Sequence, residues 1–145
     1  MKKLTALLLC GCILFVSGCS KDEYLAVEQQ VIELVNRQRS SAGLKALRVE
    51  RSLMGSCHVR AEELVTNFSH TRPDGSPWSS VITATNKGAA ENIAAGYASA
   101  EAVMNGWMNS QGHRGNILNE NFTHIGVGYY KNGGTSYWVQ LFIRQ

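Results

Sequence analysis

The end of the chain alternates apolar and other residues with a period of two. The first alternating run is IGVGYY at 125–130, the second is YWVQLFI at 137–143, and the segment KNGGT lies between them. A period of two places successive side chains on opposite faces of a strand. Two such runs around a glycine-containing turn predict a β-hairpin, with its turn at Asn132-Gly133. Other parts of the chain must then cover the sheet that this hairpin forms.

The chain before the hairpin has helical periodicity instead. Apolar residues spaced three and four apart predict a helix from Tyr24 that ends at Gly43, a second from about Ser52 to Asn67 and a third from Ala100 to about Ser110. The segment SHTRPDGSPW interrupts this pattern with turn-forming residues, and a short helical turn is expected over 78–84. Helices followed by an antiparallel hairpin indicate an α+β fold in which helices cover the sheet.

The first eighteen residues have the order of a secretory signal, with two lysines before an apolar stretch over 4–16. That stretch is too short to span a bilayer, which takes about 20 residues. Val16-Ser17-Gly18-Cys19 resembles the bacterial lipobox, in which the cysteine carries lipid and becomes the new N-terminus. We predict a lipoprotein signal peptide over 1–18, a lipidated Cys19 with a short tether to residue 23, and one domain over 24–145. The protein would be exported and lipid-anchored in the cell envelope; an ordinary cleaved signal is the alternative.

Charge and cysteine content narrow the classes of function. Lys2 and Lys3 leave with the signal, so that 12 of the 14 basic residues remain against 11 acidic ones. This balance gives no argument for nucleic acid as a partner, since binding to nucleic acid would require a basic face. Cys10 and Cys12 also lie in the signal and Cys19 would carry lipid, so Cys57 has no partner for an internal disulfide. Because Cys57 falls on the apolar face of the second helix, we expect a buried, inert thiol.

Three polar clusters lie near the ends of predicted elements: FSHTR with His70, AENIA with Glu91, and NSQGHRGNIL with His113. Two imidazoles and one carboxylate from separate segments can hold zinc or copper with a position left for water. They can also perform acid–base chemistry near neutral pH. A third interpretation is that they only join loops through hydrogen bonds.

The other polar side chains have simpler interpretations. Asn92, Arg114 and Asn116 are expected to brace the backbone around the two later clusters. His58 is expected at the surface of the second helix, and His124 at an edge position where the hairpin begins. Of the aromatic residues Trp78, Tyr97, Trp107 and Trp138, which are candidates for lining a groove, we expect most to lie in the core.

The order of the motifs FSHTRPDGS, AENIAAG, VMNGWMNSQGHRGNIL and HIGVGYY resembles the CAP superfamily of cysteine-rich secretory, antigen five and pathogenesis-related proteins. The resemblance covers about residues 24–145 and is strongest to the bacterial branch without disulfides. It implies a three-layer α-β-α sandwich with a central antiparallel sheet and a cleft with a His-Glu-Glu-His set. His70, Glu91 and His113 match three members of that set. Ser110 stands where the second glutamate is expected, which weakens any mechanism that needs two carboxylates.

The resemblance and the lipobox together predict an envelope-anchored binding module. Its cleft of His70, Glu91, Ser110 and His113 would hold a divalent metal on the two histidines, zinc being the first candidate, and a lipid or cell-wall ligand. One alternative is a hydrolase of peptide or peptidoglycan bonds that uses Glu91, His70 and His113. Another is a module that contacts envelope proteins and whose cleft is vestigial. The sequence has no Ser-His-Asp, His-Glu-x-x-His or cysteine-protease pattern to support hydrolysis.

Overall fold

A computed structural model of the chain describes residues 21–145, with side chains from residue 24 onward. The predicted signal peptide, Cys19 and the start of the predicted tether lie outside these residues. The elements, in chain order, are α1 Lys21–Ser41, β1 Arg48–Val49, α2 Arg51–Thr66, a 3₁₀ turn Trp78–Val81, β2 Ala89–Ala95, α3 Ala100–Met108, α4 Gln111–Ile117, β3 His124–Asn132 and β4 Thr135–Ile143. Among the described helices we find none with the length and apolar character needed to cross a membrane.

The four strands form one sheet in the order β1-β3-β4-β2. The β3–β4 hairpin lies at its centre, β2 runs antiparallel to β4, and the two-residue β1 runs parallel to β3. One apolar core joins the sheet to α1, α3 and α4, and the other joins it to α2 and the 3₁₀ turn. The α+β class and the α-β-α sandwich are therefore confirmed, with the qualification that β1 makes the sheet mixed.

The hairpin turn lies one residue later than predicted. Asn132 pairs with Thr135, so Gly133 and Gly134 form the two-residue loop, with φ of +55° and +85°. Two positive φ values define the turn that best matches the twist of a hairpin, and glycine adopts them without strain.

Helix α2 lies directly on β3 because two glycines of that strand face it. A β-carbon at Gly126 would lie 2.7 Å from the carbonyl carbon of Leu53, and one at Gly128 would overlap the backbone of Cys57. Cys57 is fully buried, as predicted, and burial raises the pKa of its thiol well above the usual range.

Two elements that carry candidate site residues were not predicted. The segment AAENIAA forms β2, although its residues from 91 to 94 are buried one after another and show no alternation. The segment QGHRGNI forms α4, so that α3 ends at Met108 and not near Ser110, which instead immediately precedes α4.

Candidate functional site

A cleft lies beside β2, between the segment that follows α2 and the helices α3 and α4. Its volume is about 320 Å³. The residues that line it are Phe68, Ile93, Ala94, Ala95, Tyr97, Gly106, Trp107, Ser110 and His113. Two of the four predicted cleft residues, Ser110 and His113, therefore face this space, whereas His70 and Glu91 form a hydrogen-bonded pair beside it.

Glu91 lies in β2 and its side chain is only 1% exposed. His70 Nδ1 is 2.7 Å from Glu91 Oε2, and Arg60 Nε donates to Glu91 Oε1 at 2.8 Å. Both carboxylate oxygens are therefore engaged. Because Nδ1 faces the carboxylate, we assign the ring proton to Nδ1, which leaves Nε2 as the nitrogen of His70 available to a ligand. The His70 side chain is 56% exposed.

Arg60 stabilises the pair of His70 and Glu91. Its side chain is fully buried, and besides Glu91 it donates to Glu63 Oε2 and to the carbonyl oxygen of Ser69, each at 2.8 Å. Burial lowers the pKa of Arg60, but the hydrogen bonds to Glu91 and Glu63 outweigh it and leave the pKa raised. The bond to Ser69 fixes the backbone next to His70, so one guanidinium positions both members of the pair.

A second arginine stabilises the loop that carries His70. Arg72 donates to Glu63 Oε1 at 2.6 Å and to the hydroxyl of Ser80 at 3.0 Å. The hydrogen bond from Arg72 lowers the pKa of Glu63, and the bond from Arg60 adds to this effect against the opposing effect of burial. Sequence reasoning missed Arg60 and Arg72. The available signal was that Arg60 falls on the apolar face of α2, in step with Leu53, Cys57 and Leu64.

His113 reaches the cleft from α4. Its pKa is lowered, chiefly by burial and also by the charge of His70, so the ring is neutral near pH 7. The bracing predicted for its neighbours is confirmed. Asn92 Nδ2 donates to the His113 carbonyl at 3.1 Å, Asn116 Nδ2 to Asn92 Oδ1 at 2.8 Å, and Arg114 to the Met108 carbonyl at 3.3 Å.

A buried arginine in α1, also missed from the sequence, anchors the end of α4. Arg39 is 1% exposed and its Nη1 donates to the carbonyl oxygens of Ile117 and Asn119 at 2.9 and 2.8 Å. A cation at these carbonyls satisfies groups that a helix end leaves unpaired and complements the helix dipole.

The donor atoms do not form a ready zinc site. Within residues 21–145, no group of three or more His, Cys, Asp and Glu side chains is placed to hold a metal ion. Zinc sites in proteins use three or four protein ligands. Here His70 and His113 supply two imidazoles, while the carboxylate of Glu91 is committed to His70 and Arg60.

The remaining histidines lie away from the cleft. His58 is partly exposed, as predicted, but its Nε2 contacts the buried Glu28 carboxylate at 2.8 Å. The edge position predicted for His124 is wrong: the residue pairs with Arg48 of β1 on one side and Ile143 of β4 on the other, and is buried. Trp107 and Trp138 are core residues, and Trp107 also reaches the cleft.

Comparison with known proteins gives matches over most of the chain. Residues 32–142 match the cysteine-rich secretory protein family, CAP. The Bacillus subtilis protein YkwD is 44% identical over 123 residues, which are 81% of this chain and 47% of YkwD. The chain thus spans about half the length of this relative, and 34% of the Bacillus subtilis membrane protein YlbC, to which it is 32% identical.

Solved structures give the same result for the fold. An extracellular protein of Bacillus anthracis that contains an SCP domain superposes with a TM-score of 0.79 at 31% identity, covering 87% of this chain and 44% of that one. An outer surface protein of Borrelia burgdorferi has a TM-score of 0.74 at 22% identity, covering 81% of this chain and 91% of that one.

Proposed function

Because the chain belongs to the cysteine-rich secretory protein family, CAP, we propose that it is an exported binding module whose cleft holds a neutral ligand of the cell envelope. The observation that carries the proposal is the chemistry of the cleft lining. None of its residues is Asp, Glu, Lys or Arg, and burial keeps His113 neutral. A concave site with aromatic walls and a few polar groups suits an uncharged ligand, since a charged ligand would lose its hydration without gaining a counter-charge.

The geometry of Glu91 favours binding over the alternative of hydrolysis. A general base must reach the proton that it removes, directly or through one water. The Glu91 side chain is 1% exposed and both its oxygens accept hydrogen bonds from Arg60 and His70. With Ser110 in place of the second glutamate, none of the residues that line the cleft carries a carboxylate.

Envelope binding can be tested with a variant that fills the cleft. Ser110→Phe places a ring in the cavity, and Ser41→Phe makes the same change at the exposed end of α1 as a control. The full chain and both variants would be mixed with isolated envelope fractions and sedimented. We expect the same fraction of the wild type and of Ser41→Phe to sediment with the envelope fractions. Ser110→Phe should lose most of this binding. Equal binding by all three proteins would refute a role for the cleft.

We further propose that Cys19 carries the lipid anchor and holds the domain at a membrane. The support is the order of Val16-Ser17-Gly18-Cys19 after an apolar signal. Metabolic labelling with a fatty acid should mark the wild type, while Cys19→Ser should be unlabelled and either released or left uncleaved. Unchanged labelling of Cys19→Ser would contradict this assignment.

A further inference from the structure

Strand β2 forms one edge of the sheet, and its pairing with β4 determines which of its backbone groups face outward. The Gly96 N–H donates to the Ser136 carbonyl at 2.8 Å, and the Arg144 N–H donates to the Gly88 carbonyl at 2.9 Å. Both pairs continue the β2–β4 register. Along an antiparallel strand, bonded and non-bonded residues alternate. The even-numbered residues of β2 therefore bond to β4, and the N–H and C=O groups of Glu91, Ile93 and Ala95 point away from the sheet.

Side chains close some of the outward-facing groups of the sheet edges. At β2, Asn116 Nδ2 donates to the Glu91 carbonyl and Trp107 Nε1 to the Ile93 carbonyl, each at 3.4 Å. Strand β3 is closed in the same way on the other side of the sheet. There the Val127 N–H donates to Met54 Sδ at 3.2 Å, and the Tyr129 N–H donates to Glu28 Oε1 at 2.9 Å. Covering an edge prevents it from pairing with another chain.

The edge is left open inside the cleft. Within residues 21–145, no hydrogen bond reaches the outward N–H or C=O of Ala95 or the N–H of Ile93. Both residues line the cleft. Phe68, with 54% of its surface exposed, and Tyr97, with 37%, also line it. Three unpaired backbone groups thus lie in a row beside two exposed aromatic rings.

From this juxtaposition we propose that the cleft binds an extended peptide segment of a partner protein, which adds as a strand to β2 at Ile93–Ala95. One residue of the peptide donates to the Ala95 carbonyl and accepts from its N–H, and a second carbonyl accepts from the Ile93 N–H. Strand addition obtains affinity from such backbone bonds and specificity from pockets for alternate side chains. The uncharged lining selects small or apolar side chains. This inference rests on the proposed binding role of the cleft and names the ligand class.

The direct test uses two capped peptides that differ in one donor. The probe is acetyl-Ala-Val-Ala-amide, whose first residue would pair with Ala95 and whose third carbonyl would accept from the Ile93 N–H. Its control carries an N-methyl group on the first residue, which nearly preserves the size and apolar surface but removes the donor to the Ala95 carbonyl. In nuclear magnetic resonance titrations of the full chain, we expect the probe to shift the Ile93 and Ala95 amides and the N-methyl peptide to bind about three- to ten-fold more weakly. Equal binding by the two peptides, or shifts only with soluble muropeptides, would overturn the proposal.

Two proline variants of the protein test whether the backbone donors of the β2 edge bind the peptide. Ala95→Pro removes an outward N–H and spares the β2–β4 bonds, and proline is tolerated on edge strands. Ala89→Pro makes the same change at the other end of β2, where residue 89 also faces outward but does not line the cleft. We expect Ala95→Pro to weaken probe binding at least as much as N-methylation does, and Ala89→Pro to bind normally, with circular dichroism confirming both folds.

These experiments separate the failure of the inference from the failure of the proposed function. If Ser110→Phe abolishes envelope binding but the two peptides bind equally or not at all, the binding module remains and the peptide ligand is refuted. Should Ala95→Pro not fold, the comparison of the two peptides on the wild-type chain still decides the question.

Discussion

At the scale of single residues, the candidate site depends on the charge of one buried side chain, Arg60. Arg60 contacts two carboxylates and a backbone carbonyl, and none of its side-chain surface is exposed. Removing Arg60 would leave the buried Glu91 carboxylate with His70 as its remaining side-chain partner, and losing a buried cation from such a network costs far more than a surface ion pair contributes. From the sequence, His70, Glu91 and His113 could be predicted as site residues but Arg60 could not. A single arginine on a helix does not reveal which loop or strand will pack over it.

We predict that Arg60→Met lowers the free energy of unfolding by about 3–5 kcal/mol. Glu91 loses its bond from Nε and Ser69 loses its donor, so the loop that carries His70 should also become more mobile. Urea denaturation measures the loss, and Arg37→Met on the exposed surface of α1 is the control, expected within about 0.5 kcal/mol of wild type. A loss of less than about 1 kcal/mol in Arg60→Met would show that Glu91 and Glu63 do not depend on this cation.

The depressed pKa of His113 predicts a dependence of stability on pH. As pH falls through the usual histidine pKa of about 6.5, the unfolded chain takes up a proton while folded His113 remains neutral. Its contribution is therefore complete above that pH and is lost as pH falls toward the folded pKa. Thermal melting should show a smaller fall between about pH 7.5 and 5.5 in His113→Gln than in wild type. His124, whose pKa is also lowered by burial, is present in both proteins and cancels in the comparison. Identical pH profiles would contradict the assignment to His113.

At the scale of elements, the long periodic segments could be predicted and the short buried ones could not. The strands of the hairpin alternate because each has one face toward α1 and the other toward α2, with Gly126 and Gly128 marking the second face. Strand β2 has neither glycines nor alternation, since its central residues are covered by both layers. Helix α4 has seven residues, two of them glycine, which is too short for a periodic signal.

The contact between α2 and β3 predicts opposite effects for two glycine-to-alanine changes. A β-carbon at Gly128 overlaps the backbone of Cys57, so Gly128→Ala should force α2 away from the sheet and cost about 1–3 kcal/mol. Gly55 lies within α2 with open space around its Cα, so Gly55→Ala should stabilise the protein by about 0.5–1 kcal/mol through helix propensity. Chemical denaturation of both variants measures the difference. A neutral Gly128→Ala would mean that α2 can shift without loss of packing.

Considered as a whole, the molecule is one sheet between two helical layers, and polar side chains of α1 and α4 hold their layer together and tie it to the sheet edges. Glu28 reaches from α1 to the edge of β3, Arg39 from α1 to the end of α4, and Asn116 from α4 to β2. These contacts join residues up to 101 positions apart in sequence. Sequence patterns report local periodicity, and the family resemblance carries only the shared motifs, so neither indicates these pairs. The candidate cleft contains part of the β2 edge that these side chains do not cover.

Whether a metal contributes to the stability of the whole molecule can be tested on the intact protein. Among residues 21–145, the side chains that could hold zinc at the cleft are the two imidazoles of His70 and His113, and two ligands would hold the ion weakly. The stabilisation that a bound ligand gives grows only with the logarithm of its concentration relative to Kd. We therefore expect a chelator to leave the melting temperature unchanged, and added zinc to raise it by at most a few degrees, equivalent to about 1 kcal/mol. His70→Ala/His113→Ala should abolish that small increase, since it removes both rings. A chelator that lowered the melting temperature of the purified chain by ten degrees or more would instead mean that a metal with further ligands contributes to the folded state, and the cleft would then have to rearrange to free the Glu91 carboxylate from Arg60.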